Sequence, residues 1–405
     1  MNEPQLIVTM KDMQRYHIIK DCLEKKISAK QGAFLLGISS VHFWRIKKKL
    51  LKYGLEGIFR PKRSSPRKLS SQKTNIIAAL YREHYHDFNI MHFKDKLAQL
   101  HNINFCYESI RKILINYTIH KPKKKKLVHR RRRRMPKAGM LIQMDSSQHC
   151  WLEKISQPWW LIAMIDDATN EVPYAQFFPA DSTFANMHVI RRFIELKGRF
   201  IALYVDKASH FRCPRHKNTP HYHNVKEQTF SQIDRALKEL DINLINADSP
   251  QAKGRIERLF RFFQDRLIKE LRLARVTAYS KANLFLNQSF LPWYNKKYSL
   301  IAESAFFPLP VLPMLDTVFC IKFQRLVNYD NTVQVFGQII QIPPSNFRLS
   351  FAKTKVDICI LENKRIAIVF NNKIIAISCL SKNSSLLKRF HDDKFLNQKI
   401  LVSTT

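Results

Sequence analysis

The sequence predicts a multidomain α plus α/β chain with a small β-barrel near its end. Three observations carry that reading. Up to about residue 118 the apolar residues recur at helical spacing, between about 140 and 300 short apolar strands alternate with helices, and from 318 to 380 short β-rich runs follow one another. At 405 residues the chain is too long for a single core, and its 45% hydrophobic content is that of a folded protein.

Sixty-nine Lys and Arg against 32 Asp and Glu leave a net charge of +37. Self-repulsion on that scale calls for a polyanionic partner, and nucleic acid is the obvious one. The excess is front-loaded. Residues 1–140 hold 33 basic against 9 acidic side chains, +24, and residues 141–405 hold the remaining 36 against 23, +13. Seven cysteines, odd in number and far apart in sequence, argue for reduced thiols in a cytosol. The first residues lack a cationic head followed by an apolar run, and no window approaches a membrane span. No signal peptide and no membrane contact are expected.

Residues 1–58 read as three helices. Tyr16, Ile18, Ile19, Cys22 and Leu23 mark the first, the second begins near Ser28 and ends at Gly37, and Ser39 is placed to cap a third through Val41, Trp44, Ile46 and Leu50. This is the pattern of a helix-turn-helix whose last helix offers His42, Arg45, Lys47 and Lys48 to a major groove. A three-helix bundle with a basic face fits the same residues. Residues 59–71 are a Pro-, Ser- and Arg-rich linker, and 72–118 repeat the plan as a second helix-turn-helix-like domain with Arg111 and Lys112 facing outward. Residues 119–137 form a basic tether. Its Lys121–Lys126 run and Arg130, Arg131, Arg132, Arg133 and Arg134 repel one another and are expected to order on a DNA backbone, although a nuclear-import signal or a solubilising segment fits the same residues.

Within 138–300, Leu141–Asp145 and Phe200–Asp206 each read as a short apolar strand that ends on an aspartate. Pro158–Asp166 and Val172–Phe178 are strands joined by a turn, so Asp166 and Asp167 are turn acids rather than site acids. Thr183–Leu196 is a helix leading to the next strand, which is expected to lie parallel to the first. If the two aspartate-ended strands are neighbours, Asp145 and Asp206 stand side by side. A helix from Arg255, with its apolar stripe Ile256, Leu259, Phe260, Phe263, Leu267 and Leu271, can then bring Glu257 to them. Three such carboxylates repel one another unless divalent cations neutralise them, and Lys253 and Arg261 flank Glu257 as partners for phosphate. An ordinary ion-paired helix face fits the Glu257 window taken alone. Cys213, His216, His221 and His223 do not match the common zinc spacings and read as a loop beside the site.

The order Asp145-Ser146-Ser147-Gln148-His149-Cys150-Trp151, Leu161–Thr169, Leu203–Asp206 and Ser249–Arg258 resembles the core of a DDE transposase of the integrase type, and within that class the ISNCY group of bacterial insertion-sequence transposases. The resemblance covers residues 140 to about 300. It implies an RNase H-like mixed-sheet catalytic core with Asp145, Asp206 and Glu257 as catalytic and metal-binding residues. It also implies two Mg²⁺ or Mn²⁺ ions, transposon ends and target DNA as partners, a homo-oligomer on DNA, and a cytoplasmic, nucleoid-associated setting. A DNA-binding regulator without turnover and a nuclease without strand transfer are the alternatives it leaves. The interval between Asp206 and Glu257 is longer than in compact retroviral integrases.

Beyond the core, Pro308, Pro310 and Pro313 mark 301–317 as a linker. Residues 318–380 are expected to form the barrel, with Lys322, Arg325 and Arg348 along DNA, although a protein-binding module fits as well. Residues 381–405 read as a disordered tail. Replacing Arg130–Arg134 by Gln is expected to flatten the slope of log affinity against log salt by several units, at roughly 0.9 for each phosphate left without a cation. Preference for element ends over random DNA should hardly move, and binding titrations across a salt series read both quantities.

Overall fold

A computed structural model describes residues 9–58, 69–122, 133–206, 211, 231–247, 254–308, 312–335, 337–345 and 348–379. Most of the 59–71 linker and of the tether, Lys253, Cys213, His216, His221, His223 and the carboxy-terminal tail lie outside them. The chain divides into two compact units, residues 1–86 with 106–121, and residues 87–105 with 122–405.

In the first unit, α1 (Met10–Leu23), α2 (Ala29–Leu35) and α3 (Ser40–Tyr53) enclose Ile19, Cys22, Ala33, Phe43 and Ile58. Their starts are written in the sequence. Thr9 and Ser28 each close a capping box with Asp12 and Gln31, and Ser39 Oγ accepts from His42 N–H at 3.2 Å. Gly37, at φ 63°, takes the left-handed turn that ends α2. A Cβ on Gly32 would meet the Phe43 ring at 2.6 Å, so this glycine sets how closely α3 approaches α2. The unit also holds α4 (Ser71–His84) and α6 (Tyr107–Asn116), which Arg82 ties together by donating to the Tyr117 carbonyl at 3.3 Å.

The second unit is built on a five-stranded mixed sheet. Its strands β1 (Ile142–His149), β2 (Trp159–Asp166), β3 (Ala175–Phe178), β4 (Ala202–Val205) and β5 (Asn243–Asn246) lie in the order β3-β2-β1-β4-β5. The first three form an antiparallel meander, and β4 and β5 add in parallel through α7 (Thr183–Lys197) and α8 (Gln232–Lys238). One face of the sheet, with Ile142, Met144, Ile162 and Met164, packs on α7 and α8. The other, with Leu161, Ala163 and Ile165, packs on α9 (Gly254–Leu273), α10 (Tyr279–Phe285) and α11 (Leu291–Tyr298), the last two joined by the π turn Leu286–Phe290. This is the mixed α/β core that the strand pattern predicts.

Two features of this unit were not visible in the pattern of apolar residues. Edge strand β3 and the residues before it are covered by side-chain amides. Asn283 and Asn287 pair with the N–H and C=O of Phe177 and Ala175, and Asn295 does the same for Val172 at 2.9 Å in both directions. These amides satisfy backbone groups that an open edge would present to a passing strand. In addition, α5 (Ile90–His101) packs on α9 within this unit. Asp95 accepts from the buried Arg266 and from Lys297 at 2.7 Å, Glu270 bonds His92 and Lys96, and Arg272 bridges Asp87 and Glu153. Burial holds His92 below the usual histidine range. With Nε2 on Glu270 and Nδ1 buried without a partner, a neutral ring protonated at Nε2 is the form that fits.

The carboxy-terminal part departs from expectation in two ways. Residues 301–317 are not merely a linker. They contain α12 (Leu312–Val318), which buries Leu315 and Val318 in the core under α7. Nor do the strands that follow close into a barrel among the described residues. Strands β6 (Ile321–Leu326), β9 (Lys355–Ile360), β10 (Arg365–Phe370) and β11 (Lys373–Cys379) form an open antiparallel sheet in the order β11-β10-β9-β6. A separate ribbon of β7 (Thr332–Val335) and β8 (Gln338–Gln341) closes over its apolar face. Short strands at this spacing are compatible with either arrangement, and only the pairing distinguishes them. Among the described residues no helix is long and apolar enough to cross a membrane.

Asp95→Ala should cost about 3–5 kcal/mol of unfolding free energy, because it strands the Arg266 guanidinium, whose side chain is only 1% exposed. Urea unfolding of the variant checks this.

Candidate active site

The site starts from the alternation of β1. Ile142 and Met144 point to one face, and Gln143, Asp145 and Ser147 to the other, the face covered by α9. On the neighbouring β2 the residues paired with these three are Ile165, Ala163 and Leu161, all buried. A polar row in the middle of a buried face calls for a partner at every position. Two of the three make structural ties. Gln143 Oε1 accepts from Ile256 N–H at 3.3 Å in the first turn of α9, and Ser147 Oγ accepts from Gln264 Nε2 at 3.0 Å. Four residues of strand span about 13 Å and eight of helix about 12 Å, so β1 and α9 run side by side in one direction with matched rise. Asp145 stands between the ties, opposite the small Ala163, and accepts from Ser146 N–H at 3.1 Å.

Asp206 comes to the same edge through the parallel register. Ile142 pairs with Leu203 and Gln143 with Tyr204, an offset of 61 residues, and carrying that offset past the end of β4 sets Asp145 opposite Asp206. The two aspartates predicted to be neighbours lie on adjacent strands, but only Asp206 follows the end of its strand; β1 runs on four residues past Asp145 to His149, held by its pairing with β2. Asp206 is exposed and Asp145 half-buried. Glu257 lies exposed in the first turn of α9, one residue beyond the Gln143 tie. Among the described residues no three His, Cys, Asp or Glu side chains gather closely enough to hold one metal ion. The donors available at this edge are carboxylate oxygens, the kind that Mg²⁺ and Mn²⁺ take.

Asp166 and Asp167 have full structural employment. Asp166 is buried and accepts from Gly139, Ala168 and Thr169 N–H at 2.6, 2.8 and 2.9 Å. Asp167, fully buried, accepts from Met135 N–H and Gln143 Nε2 and pairs with Arg255 at 3.1 Å.

Several cations read as DNA contacts have partners within the chain, although none of them is buried. The Arg134 guanidinium donates to the Ala168 carbonyl at 3.0 Å and to Asn170 Oδ1 at 2.9 Å. It thereby ties the end of the arginine run to the β2–β3 turn. Lys322 pairs with Glu239 at 2.9 Å, Arg325 lies over Phe323, and Arg348 lies over Phe351 and Phe370 while donating to the Ser350 carbonyl at 2.6 Å. Lys47 folds back onto Trp44 and Cys22, and Arg111 pairs with Glu108 at 3.0 Å. His42, Arg45, Lys48, Lys112, Arg133 and Arg261 are exposed. Arg130, Arg131 and Arg132 lie outside the described residues. Around α3 a shallow cavity of about 470 Å³ is lined by Val41, Trp44, Arg45, Lys47, Lys48 and Leu51.

No protein-family model matches the chain. It is 29% identical over 345 residues to the putative transposase y4bF of Sinorhizobium fredii, covering 83% of this chain and 74% of that one. It is 26% identical over 332 residues to the transposase for insertion sequence IS1202 of Streptococcus pneumoniae, covering 71% and 69%. Among solved structures, the catalytic core domain of BIV integrase aligns over 41% of this chain and 90% of its own, at 21% identity and a TM-score of 0.28. A chain of the simian T-cell lymphotropic virus intasome aligns over 76% and 99%, at 14% and 0.32.

Asp166→Asn should lower unfolding free energy by about 1–3 kcal/mol through loss of acceptor strength for its buried N–H groups. If the reaction belongs to the Asp145 edge, the variant still cleaves DNA at temperatures where it stays folded. Thermal unfolding alongside a cleavage assay measures both.

Proposed function

We infer that this relative of insertion-sequence transposases is itself a DNA transposase, cutting at the ends of a mobile element and joining them to a target. The observation that carries the reading is the parallel β1–β4 register, whose 61-residue offset, continued beyond the Gln143–Tyr204 pair, supports Asp145 and Asp206 as neighbours on the central strands, with the head of α9 tied to β1 at Gln143. Asp145, Asp206 and Glu257 are assigned as the carboxylates that would hold two Mg²⁺ or Mn²⁺ ions. Bound there, the ions supply Lewis-acid activation of an attacking oxygen and stabilisation of a leaving one. The exposed Arg258 and Arg261 on α9 offer cations to the flanking phosphates. The displacement at phosphorus is in line, with water attacking in cleavage and a 3′-hydroxyl in strand transfer, and it needs no covalent bond to the protein.

In the first unit, α3 is assigned as the recognition helix of a helix-turn-helix, with His42, Arg45 and Lys48 as its exposed polar set. Helices α4 and α6, with Lys112, belong to a second DNA-binding element, and the basic tether and Lys253 track phosphates. A homo-oligomer assembled on paired ends in the cytoplasm is the form expected to act.

Strand cleavage and strand transfer on end-bearing DNA test the reading together. Asp145→Asn, Asp206→Asn and Glu257→Gln should each lower cleavage by at least about a hundredfold while end binding and thermal stability stay close to wild type. Nicks without joined product would make the protein a nuclease. Neither product from the wild-type chain would make it a DNA-binding regulator.

A further inference from the structure

We propose that Gln143, Asp167 and Arg255 form a buried polar buckle that positions the head of α9, and with it Glu257, against the Asp145 strand. Gln143 is wholly buried, two residues before Asp145 on the same face of β1. Its amide is used from both ends. Oε1 accepts from Ile256 N–H, and Nε2 donates to Asp167 Oδ1 at 2.8 Å. Asp167 in turn pairs with Arg255 at 3.1 Å and accepts from Met135 N–H at 2.9 Å. The residues immediately before Glu257 are therefore held twice, Ile256 by its backbone and Arg255 by its side chain.

The chemistry explains why these residue types are needed. The first N–H groups of a helix have no partner within it and are usually capped by the residue just before it. At α9 a cap comes from across the sheet, so the cap is also a distance constraint between strand and helix. Glutamine is neutral, and its second end needs a buried acceptor, which the Asp167 carboxylate supplies. Arg255 then balances that carboxylate, and its own side chain is only 10% exposed. A leucine at 143 would match the volume but leave the Ile256 N–H without this acceptor and take one of its donors from Asp167. The two turn acids thus have different work: Asp166 closes its own turn and holds Gly139 N–H, whereas Asp167 reaches across to the helix.

Gln143 and Asp167 are positioning residues, since neither is assigned to substrate or metal. The inference rests on the transposase reading, and the test separates the two. Gln143→Glu sets a second carboxylate against Asp167, and the double variant Gln143→Glu with Asp167→Asn restores a complementary pair. Gln143→Glu should lower kcat for end cleavage by roughly tenfold to a hundredfold. The Kd for end DNA should stay within about twofold, because the first unit is untouched. The double variant should recover most of the loss. Amide hydrogen exchange over residues 254–260 should rise about tenfold in Gln143→Glu and return in the double variant, whether or not the protein turns over.

If Gln143→Glu fails to fold, Arg255→Gln, at the rim of the buckle, should show the same pattern more weakly. Unchanged exchange at the head of α9 in these variants overturns the buckle. So does altered exchange with unchanged kcat, or recovery of stability in the double variant without recovery of kcat. A wild-type chain that cleaves nothing overturns the transposase reading, while the exchange measurement still decides whether the buckle exists.

Discussion

The alternation of side chains along β1 is the constraint on which the rest of the catalytic unit depends. A central strand must satisfy both faces, and here one face is apolar while the other carries Gln143, Asp145 and Ser147. A polar row of this kind can persist only under an element that brings polar groups in matching register. Helix α9 does so with Ile256 N–H and Gln264 Nε2. The apolar stripe of α9, meanwhile, settles on Leu161, Ala163 and Ile165 of β2. Polar ties and apolar packing therefore occupy different sides of one helix.

Much of this was legible in the sequence. The strands that carry Asp145 and lead to Asp206, the helix between strands, and the stripe from Ile256 to Leu271 are periodic signals, and the structure places elements where they point, except that β1 runs past Asp145 to His149. The structural roles of Asp166 and Asp167 could be anticipated from turn chemistry, but the reach of Asp167 to Gln143 and Arg255 could not. That link joins residues 24 and 88 positions apart, and no local spacing encodes it. The asparagines that cover β3 were equally silent, because a polar residue facing an edge strand and one facing water look the same in a helical pattern.

Several of the cations read as DNA contacts also have partners within their own chain. Reading cations as DNA contacts treats each as available, yet Arg134, Lys322 and Arg348 satisfy carbonyls, a carboxylate and aromatic faces of their own chain. Arginine in particular caps backbone carbonyls as readily as phosphates. A net charge of +37 remains a sound argument for a polyanionic partner, but it does not say which residues meet it. The carboxy-terminal strands show a related limit, since strand length and spacing cannot tell a closed ladder from an open sheet with a ribbon laid over it.

The seat of α5 has a consequence for how the chain is made. Its buried ion pairs with α9 join residues 171 to 178 positions apart, so the helix leaves the ribosome long before its partners exist. Pairings of that separation form late, because the entropy of closing so long a loop must be met before any of them stabilises the fold. Throughout that interval Asp95 and His92 stay in water. The sheet and α9 complete the catalytic unit only when the last third of the chain is emerging, and a nascent polypeptide cannot assemble the acid edge before then.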